Sequence, residues 1–378
     1  MNIQRAFCDI EQLKTADLGT LMERASLVRD AQWGKNITYS RKVFVPLTNM
    51  CRDTCGYCTF VKHPKSKEAF LLTPEQVLKI ARDGEREGCK ELLFSLGEKP
   101  ERRYKIARNA LNRLGYHRLT DYLADMCSMV LEKTSLLPHV NAGTLDDEEI
   151  KKLKLVSASM GMMLETLSRR LTRNGGAHFA CPDKIPIQRI RTMERMGRND
   201  VPFTTGLLIG IGETWEERIE ALQTINTCHR RFGHVQEVII QNFTPKSDIL
   251  MSSHPEPTRD EMLRAIAIAR LILDPEISLQ APPNLSDRHI DYIAAGINDW
   301  GGISPITKDY INPEKDWPEI RALNKSTISK GFSLKERLTV YPRYQREPKR
   351  FLSARAMNRV NELAGQDGLA KRQVHSEI

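Results

Sequence analysis

Short apolar runs rich in β-formers alternate along the chain with amphipathic stretches at helical spacing. The runs at 43–47, 91–96, 137–141, 160–164, 203–211, 235–241 and 277–280 read as strands, with an eighth near Ile297. The helices between them carry start signals: Thr73-Pro74-Glu75-Gln76, Thr214 with Glu217, and Thr258 with Glu261. Each is a capping box, in which a threonine and an acid or amide three residues on satisfy free backbone N–H groups. Gly88, Gly197, Gly233 and Gly296 follow helical stretches, where glycine accepts the left-handed conformation that ends a helix. Regular strand–helix alternation predicts an α/β protein with a parallel sheet and helices outside it. Seven or eight units predict a TIM-like (β/α) barrel, with a doubly wound open sheet as the alternative. A barrel gathers its site at the C-terminal ends of its strands.

The flanks differ from this rhythm. Residues 11–33 form an amphipathic helix through Leu13, Leu18, Leu21, Met22, Ala25 and Val28, and 350–364 repeat the spacing with Phe351, Met357, Val360 and Leu363. The expected organisation is a helical segment over 1–34, the barrel over 35–320 and a packing extension over 321–378. No run of 18 apolar residues exists, and Asp9, Glu11 and Asp17 interrupt the N-terminus where a signal peptide needs an apolar core. A cytoplasmic protein without membrane contact is expected. The net charge of +9 is the residue of 57 basic against 48 acidic side chains. Its densest patch (Arg343, Arg346, Lys349, Arg350, Arg355, Arg359) reads as a solvated helix face, and without an RNA-binding signature no nucleic-acid partner is expected.

Of eight cysteines, five stand alone (Cys8, Cys89, Cys127, Cys181, Cys228) and read as buried fillers or surface thiols. The other three form Cys51-Arg-Asp-Thr-Cys55-Gly-Tyr-Cys58, directly after the first strand of the barrel. Three thiolates so close can wrap one face of a 4Fe-4S cubane, which takes four ligands and is left here with one open iron. An open iron can chelate the amino and carboxylate groups of S-adenosylmethionine (SAM). One electron from the cluster then yields methionine and a 5'-deoxyadenosyl radical. A radical SAM enzyme is therefore expected, with no catalytic side chain beyond the cluster and the SAM radical. A structural zinc site would need a fourth ligand, for which His63 is near enough in sequence, and a ferredoxin-type carrier would show four cysteines.

The remaining strand ends supply candidate contacts. Tyr57 is placed to lie against adenine, and the Gly97-Glu98 turn to bind the methionine amino group. Glu165 closes the fourth strand and suits ribose hydroxyls; Arg189 is its partner or a ligand for the SAM carboxylate. Gly210 permits close passage of adenosine. Asn141, Thr205, Gln241, Asn242, Asp299 and Trp300 are the candidate substrate contacts, as amides, hydroxyl, carboxylate and ring at successive strand ends.

The segments TNMCRDTCGYCTF (48–60), FSLGEKPE (94–101), MGMMLE (160–165), HFACPDKIPIQRI (178–190), PFTTGLLIGIGET (202–214), IIQNFTPK (239–246), QAPPNL (280–285), NDWGGISPIT (298–307) and FSLKERLTVYP (332–342) resemble the CofG family, the 7,8-didemethyl-8-hydroxy-5-deazariboflavin (FO) synthase subunits of deazaflavin coenzyme biosynthesis. The resemblance covers nearly the whole chain past residue 35. It implies closure of the deazaflavin ring of a hydroxybenzyl–ribityl–uracil adduct, with release of ammonia, methionine and 5'-deoxyadenosine. It further implies a CofH-like partner enzyme that makes the adduct, and a one-electron reductant such as ferredoxin or flavodoxin. The alternatives are a CofH-type hydroxybenzyl transferase and, from another class, a zinc- or cluster-binding interaction protein without turnover.

Overall fold

The computed structural model describes residues 10–371; Cys8 lies outside them. Eight parallel strands close into a barrel: β1 (Asn36–Thr48), β2 (Glu91–Leu96), β3 (Leu137–Asn141), β4 (Ser159–Gly161), β5 (Phe203–Ile209), β6 (Val235–Asn242), β7 (Ser278–Gln280) and β8 (Asp299–Ile303), with β1 paired to both β2 and β8. Helices cover the outer face, so the strands are buried on both sides and read as near-continuous apolar runs. The open-sheet alternative is excluded by the β1–β2 closure.

The principal helices are α1 (Ile10–Thr15), α2 (Leu18–Trp33), α3 (Pro74–Arg86), α4 (Lys105–Arg113), α5 (Leu119–Lys133), α6 (Asp147–Lys154), α7 (Pro186–Arg198), α8 (Trp215–Phe232), α9 (Arg259–Ile272) and α10 (Ile320–Ser329). The single helix expected over 11–33 is broken where Asp17 accepts from the Thr20 N–H and starts α2. Thr73–Gln76 and Thr214–Glu217 form reciprocal capping boxes. Thr258 caps only one way, because the Glu261 carboxylate turns instead to Arg218 at 2.7 Å. Gly197 is not a stop: it lies inside α7, where a Cβ would stand 2.6 Å from the Phe232 ring.

Two strand boundaries bear on the site. β4 ends at Gly161, and the chain runs on to Glu165, which bridges Leu207 of β5 with φ at +66°. The expected strand near Ile297 begins only at Asp299, so Asp299 and Trp300 open β8 rather than close it.

Past the barrel, β9 (Ser333–Glu336) lies parallel along Asn36–Tyr39 of β1. Four exposed to half-buried residues left no alternation to read in the sequence. The helix expected over 350–364 is split into α12 (Pro348–Phe351) and α13 (Ala354–Leu363), following α11 (Pro342–Gln345); Ser353 caps α13. Leu338, Val340, Tyr344 and Phe351 pack with Leu137 and Ala158 against the strand starts. Ahead of them, buried Arg337 enters the barrel to bind Asp299 and Glu237. Four of the six basic residues of the patch are ion-paired locally: Arg343 with Glu276, Arg350 with Asp200, Arg355 with Glu132 and Arg359 with Glu362.

Candidate active site

Register sets Thr48 of β1 beside Leu96 of β2, so the cysteine loop and the Gly97-Glu98 turn leave the barrel at one level. They are tied together by Gly97 N–H to Thr48 O (2.8 Å) and Arg52 N–H to Glu98 O (2.9 Å). Contact is so close that a Cβ on Gly97 would stand 2.0 Å from the Met50 carbonyl oxygen. The loop is pinned on its other side by Gly56 N–H to Ala177 O (2.8 Å) and by a two-pronged Arg52–Asp183 ion pair.

Cys51, Cys55 and Cys58 all line a cavity of about 250 Å³ at the barrel mouth. The Cys51 sulfur receives the Glu98 N–H at 3.1 Å and the Asp53 N–H at 3.4 Å. Burial pushes the Cys51 thiol up, and that of Cys58 to about 11; a hydrogen bond from Cys181 draws Cys55 down. Burial thus keeps Cys51 and Cys58 as neutral thiols, and a bound metal would stabilise their thiolate forms. Among the described residues, two trios of potential ligand atoms come within 4.8 Å of one another: Asp53, Glu98 and Asp183, and His229, Asp274 and Glu276. The three cysteine sulfurs do not form such a trio. Zn–S bonds of about 2.3 Å would draw the sulfurs of one tetrahedral ion into one. His63, the candidate fourth zinc ligand, does not line the cavity.

Glu165 is the electrostatic centre of the mouth. One carboxylate oxygen accepts from Lys184, with Arg189 at 3.8 Å; the other accepts from the Tyr57 hydroxyl and stands 2.9 Å from His178 Nε2. Burial alone would raise its pKa, but Lys184, the His178 hydrogen bond and Arg189 outweigh burial and hold it well below the carboxylate range. Its left-handed backbone is strain of the kind that collects at functional sites. Arg189 stands between Glu165 and Glu98, which is 3.9 Å away, and is fixed by the Met163 and Asp183 carbonyls. Burial first, then the charge of Asp183, lifts Glu98 to about 7; burial and Asp183 likewise lift Asp53 to about 6. Asp53 Oδ2 is buried without a partner.

Below the mouth lies an inner cavity of about 180 Å³, bordered by Lys42, Glu91, His139, Glu237 and Arg337 and walled by stacked Phe44 and Trp317. The two cavities share Ser95, Asn141, Met163, Gln241, Ile311 and Asn312, so they form one interior. Asn141 and Gln241 stand at the junction, and Asn242 faces the outer part with Oδ1 unpartnered.

Four of the expected contacts are placed elsewhere. Asp299 is fully buried at the start of β8, its carboxylate taken by Arg337 (2.6 and 2.9 Å) and the Thr38 hydroxyl. Trp300 points to α10, where its Nε1–H meets Thr327 at 3.3 Å, and neither residue lines the cavity. The Thr205 hydroxyl accepts the Leu164 N–H inside the sheet. Gly210 (φ +94°) serves a turn closed by Glu213, and a Cβ there would meet Pro257 at 2.7 Å. Conversely, Lys184 lines the mouth unforeseen, and His178, Cys181 and Asp183 stand behind it on Glu165, Cys55 and Arg52. The density of His, Cys, Asp and Lys within seven residues of one loop is the signal that could have found them.

A Radical SAM superfamily model matches residues 45–225. The chain is 48% identical over 337 residues to the 7,8-didemethyl-8-hydroxy-5-deazariboflavin synthase of Methanopyrus kandleri, covering 89% of this chain and 100% of that protein. It belongs to the 7,8-didemethyl-8-hydroxy-5-deazariboflavin synthase family. The FO synthase of Nocardia farcinica is 46% identical over 368 residues, 94% of this chain, but the chain spans only 42% of that relative's length. The fold is shared with the crystal structure of methylornithine synthase (TM-score 0.68, 17% identity, 88% of this chain and 96% of that one). Membership brings a 4Fe-4S cluster and SAM as cofactors. Three thiols on one cavity, Cys51 buried and Cys55 and Cys58 half-buried, with N–H groups aimed at the Cys51 sulfur, fit that cluster.

Proposed function

We propose that the chain closes the central ring of 7,8-didemethyl-8-hydroxy-5-deazariboflavin from 5-amino-5-(4-hydroxybenzyl)-6-(D-ribitylimino)-5,6-dihydrouracil, as an ammonia-releasing lyase. The observation that carries this reading is the match to the Methanopyrus synthase over that protein's whole length. Bound at the mouth, the cluster and SAM supply a 5'-deoxyadenosyl radical. Cys51, Cys55 and Cys58 would hold the cluster. The acidic trio of Asp53, Glu98 and Asp183 would take the SAM ammonium, which Asp53 Oδ2 is free to meet. Glu165 would orient the ribose once Tyr57 or Lys184 yields a place on its carboxylate.

Asn141, Gln241 and Asn242 suit the donor and acceptor edge of a uracil. The stacked Phe44–Trp317 wall suits the phenol, and the charged lining below suits ribityl hydroxyls. More than half of the Nocardia relative lies outside the match, which supports a separate CofH-like enzyme supplying the adduct here. A one-electron reductant and a cytoplasmic location complete the proposal; among the described residues no helix is long and apolar enough to cross a membrane.

The test is anaerobic reconstitution, a chemical reductant, SAM and the preformed adduct. Deazaflavin fluorescence with 5'-deoxyadenosine is expected. Adduct formed instead from tyrosine and the diaminouracil would assign the CofH-type reaction, and absence of SAM cleavage would leave only a cluster-binding protein.

A further inference from the structure

A thiol that the cluster does not need lies against one that it does. The Cys181 sulfur is 3.8 Å from the Cys55 sulfur, and its one S–H is shared between Cys55 and the Phe179 carbonyl. Among the described residues no other two cysteine sulfurs are in hydrogen-bonding contact. Cys181 is 3% exposed and precedes the turn Pro182–Lys184, in the loop that pins the cysteine motif through Ala177. It is held by the Thr54 N–H at 3.3 Å and the Phe179 carbonyl at 3.3 Å. Cys55 itself opens on the mouth cavity, so a small oxidant reaches it from the side that the cluster would occupy.

We propose that Cys55 and Cys181 are an oxidation site: in the cluster-free chain they close to a disulfide that withholds Cys55 from cluster assembly until it is reduced. The inference rests on the reading of Cys55 as a cluster ligand. The sulfurs must approach from 3.8 Å to about 2.05 Å, and the two loops that carry them are already joined through Gly56 and Ala177. The oxidant is a low-molecular-weight disulfide. Cys55 attacks it, breaking its S–S bond, and one small thiol leaves. The Cys181 sulfur then attacks Cys55, the mixed S–S bond breaks, and the second small thiol leaves. Two protein thiols are oxidised, one disulfide is reduced to two thiols, and the two protons go to the departing thiols. Closure also shields Cys55 from the irreversible sulfinic stage of oxidation.

The experiment uses the full chain, stripped of iron, fully reduced and titrated anaerobically with oxidised glutathione. The expected wild-type product has lost two titratable thiols, carries no glutathione, and yields a peptide linking Cys55 to Cys181. Its iron loading drops from about four to near zero and returns with dithiothreitol. Cys181→Ser keeps the size of the side chain. In the reduced state it is expected to load iron like the wild type, and under glutathione it retains an adduct on Cys55. Cys181→Ala gives the same adduct where serine disturbs folding. A stable glutathione adduct on wild-type Cys55, or a link from Cys55 to Cys51 or Cys58, overturns the site. A mapped Cys55–Cys181 link with undiminished iron loading overturns the block on assembly and, separately, the assignment of Cys55 as a ligand.

Discussion

At the bottom of the barrel Arg337 meets Asp299 at 2.6 Å and Glu237 at 2.8 Å, and Tyr341 donates to Glu237 at 3.0 Å. At the mouth Arg189 stands 3.8 Å from Glu165 and 3.9 Å from Glu98, while Asp53 Oδ2, Asn242 Oδ1 and Thr244 Oγ1 are buried with no partner. Both ends bury carboxylates and guanidinium groups inside one barrel. One network is closed on itself by a segment from beyond the barrel; the other is left with open valences and a strained Glu165. Unpaired buried polar atoms cost stability unless something arrives to satisfy them. The mouth therefore leaves polar atoms open to ligands, while at the bottom the protein's own groups satisfy one another even where they line the inner cavity.

The sharpest break between the ends is expected from cysteine. Cys55→Ala should abolish both cluster loading and SAM cleavage, read as iron per chain and as 5'-deoxyadenosine. Cys89 and Cys228, buried away from the mouth, should leave both unchanged when replaced by serine.

At the bottom the effect falls on folding. Arg337→Met leaves Asp299 and Glu237 buried without their cation, and loss of one partner from a buried pair costs about 3–5 kcal/mol. Urea unfolding of the cluster-free chain should show this loss, while SAM cleavage per folded molecule stays near that of the wild type. A matching loss of SAM affinity would mean that the two ends are not separable.

At the mouth, Glu165→Ala removes an acceptor of charge-assisted hydrogen bonds. SAM affinity should fall by about 1.5–3 kcal/mol, or one to two decades. Iron loading should persist, because Glu165 hydrogen-bonds no cysteine and its charge, if anything, opposes the Cys55 thiolate. Unchanged SAM affinity would make Glu165 a strut for Tyr57, His178 and Lys184.

Legibility in the sequence followed the same division. The barrel and the cysteine loop were readable because strand periodicity, caps and a short-range motif are local signals. Glu91–Leu96 and Leu137–Asn141 fall on their expected bounds. The ion pairs at both ends join residues far apart in the chain, Arg337 with Asp299 and Lys184 with Glu165, and no local spacing announces them. Asp299 and Trp300 are misplaced because the strand expected near Ile297 starts two residues later: a 3-10 helix over His289–Ile293 and a turn precede it, and the strand runs from Asp299 to Ile303. In a barrel that shift carries a residue from the mouth to the opposite end.

The two ends should also answer pH with opposite signs. Glu98 is lifted to about 7 by burial and Asp183, so its neutral form is favoured in the folded chain. Its contribution is present below the ordinary value of 4.5 and lost as pH rises through about 7. His139, pushed down to about 4 by burial, contributes above its ordinary 6.5 and loses that as pH falls through about 4. Glu98→Gln stays neutral throughout. Its stability relative to the cluster-free wild type should rise between pH 4.5 and 7, by at most about 1.4 kcal/mol per pH unit, and level off above. A flat difference would show that Glu98 already has its countercharge.

The smallest effect is the most direct comparison, because one substitution serves at both ends. Thr244 and Thr339 are both buried threonines. The Thr244 hydroxyl has no partner, while that of Thr339 bonds Ser159 at 2.7 Å and His139 at 3.2 Å. Valine replaces the hydroxyl with a methyl group of similar size. At 339 it should cost about 1 kcal/mol by stripping Ser159 and His139 of a partner. At 244 the cluster-free chain should be unchanged or gain up to about 1 kcal/mol, since an unsatisfied group is removed. The same Thr244→Val chain should then bind SAM or substrate less well, if the hydroxyl is kept for a ligand. Thermal unfolding of the two variants side by side measures the sign. A loss of equal size at both positions would mean that Thr244 is satisfied in the folded chain, and the mouth would be as closed a network as the bottom.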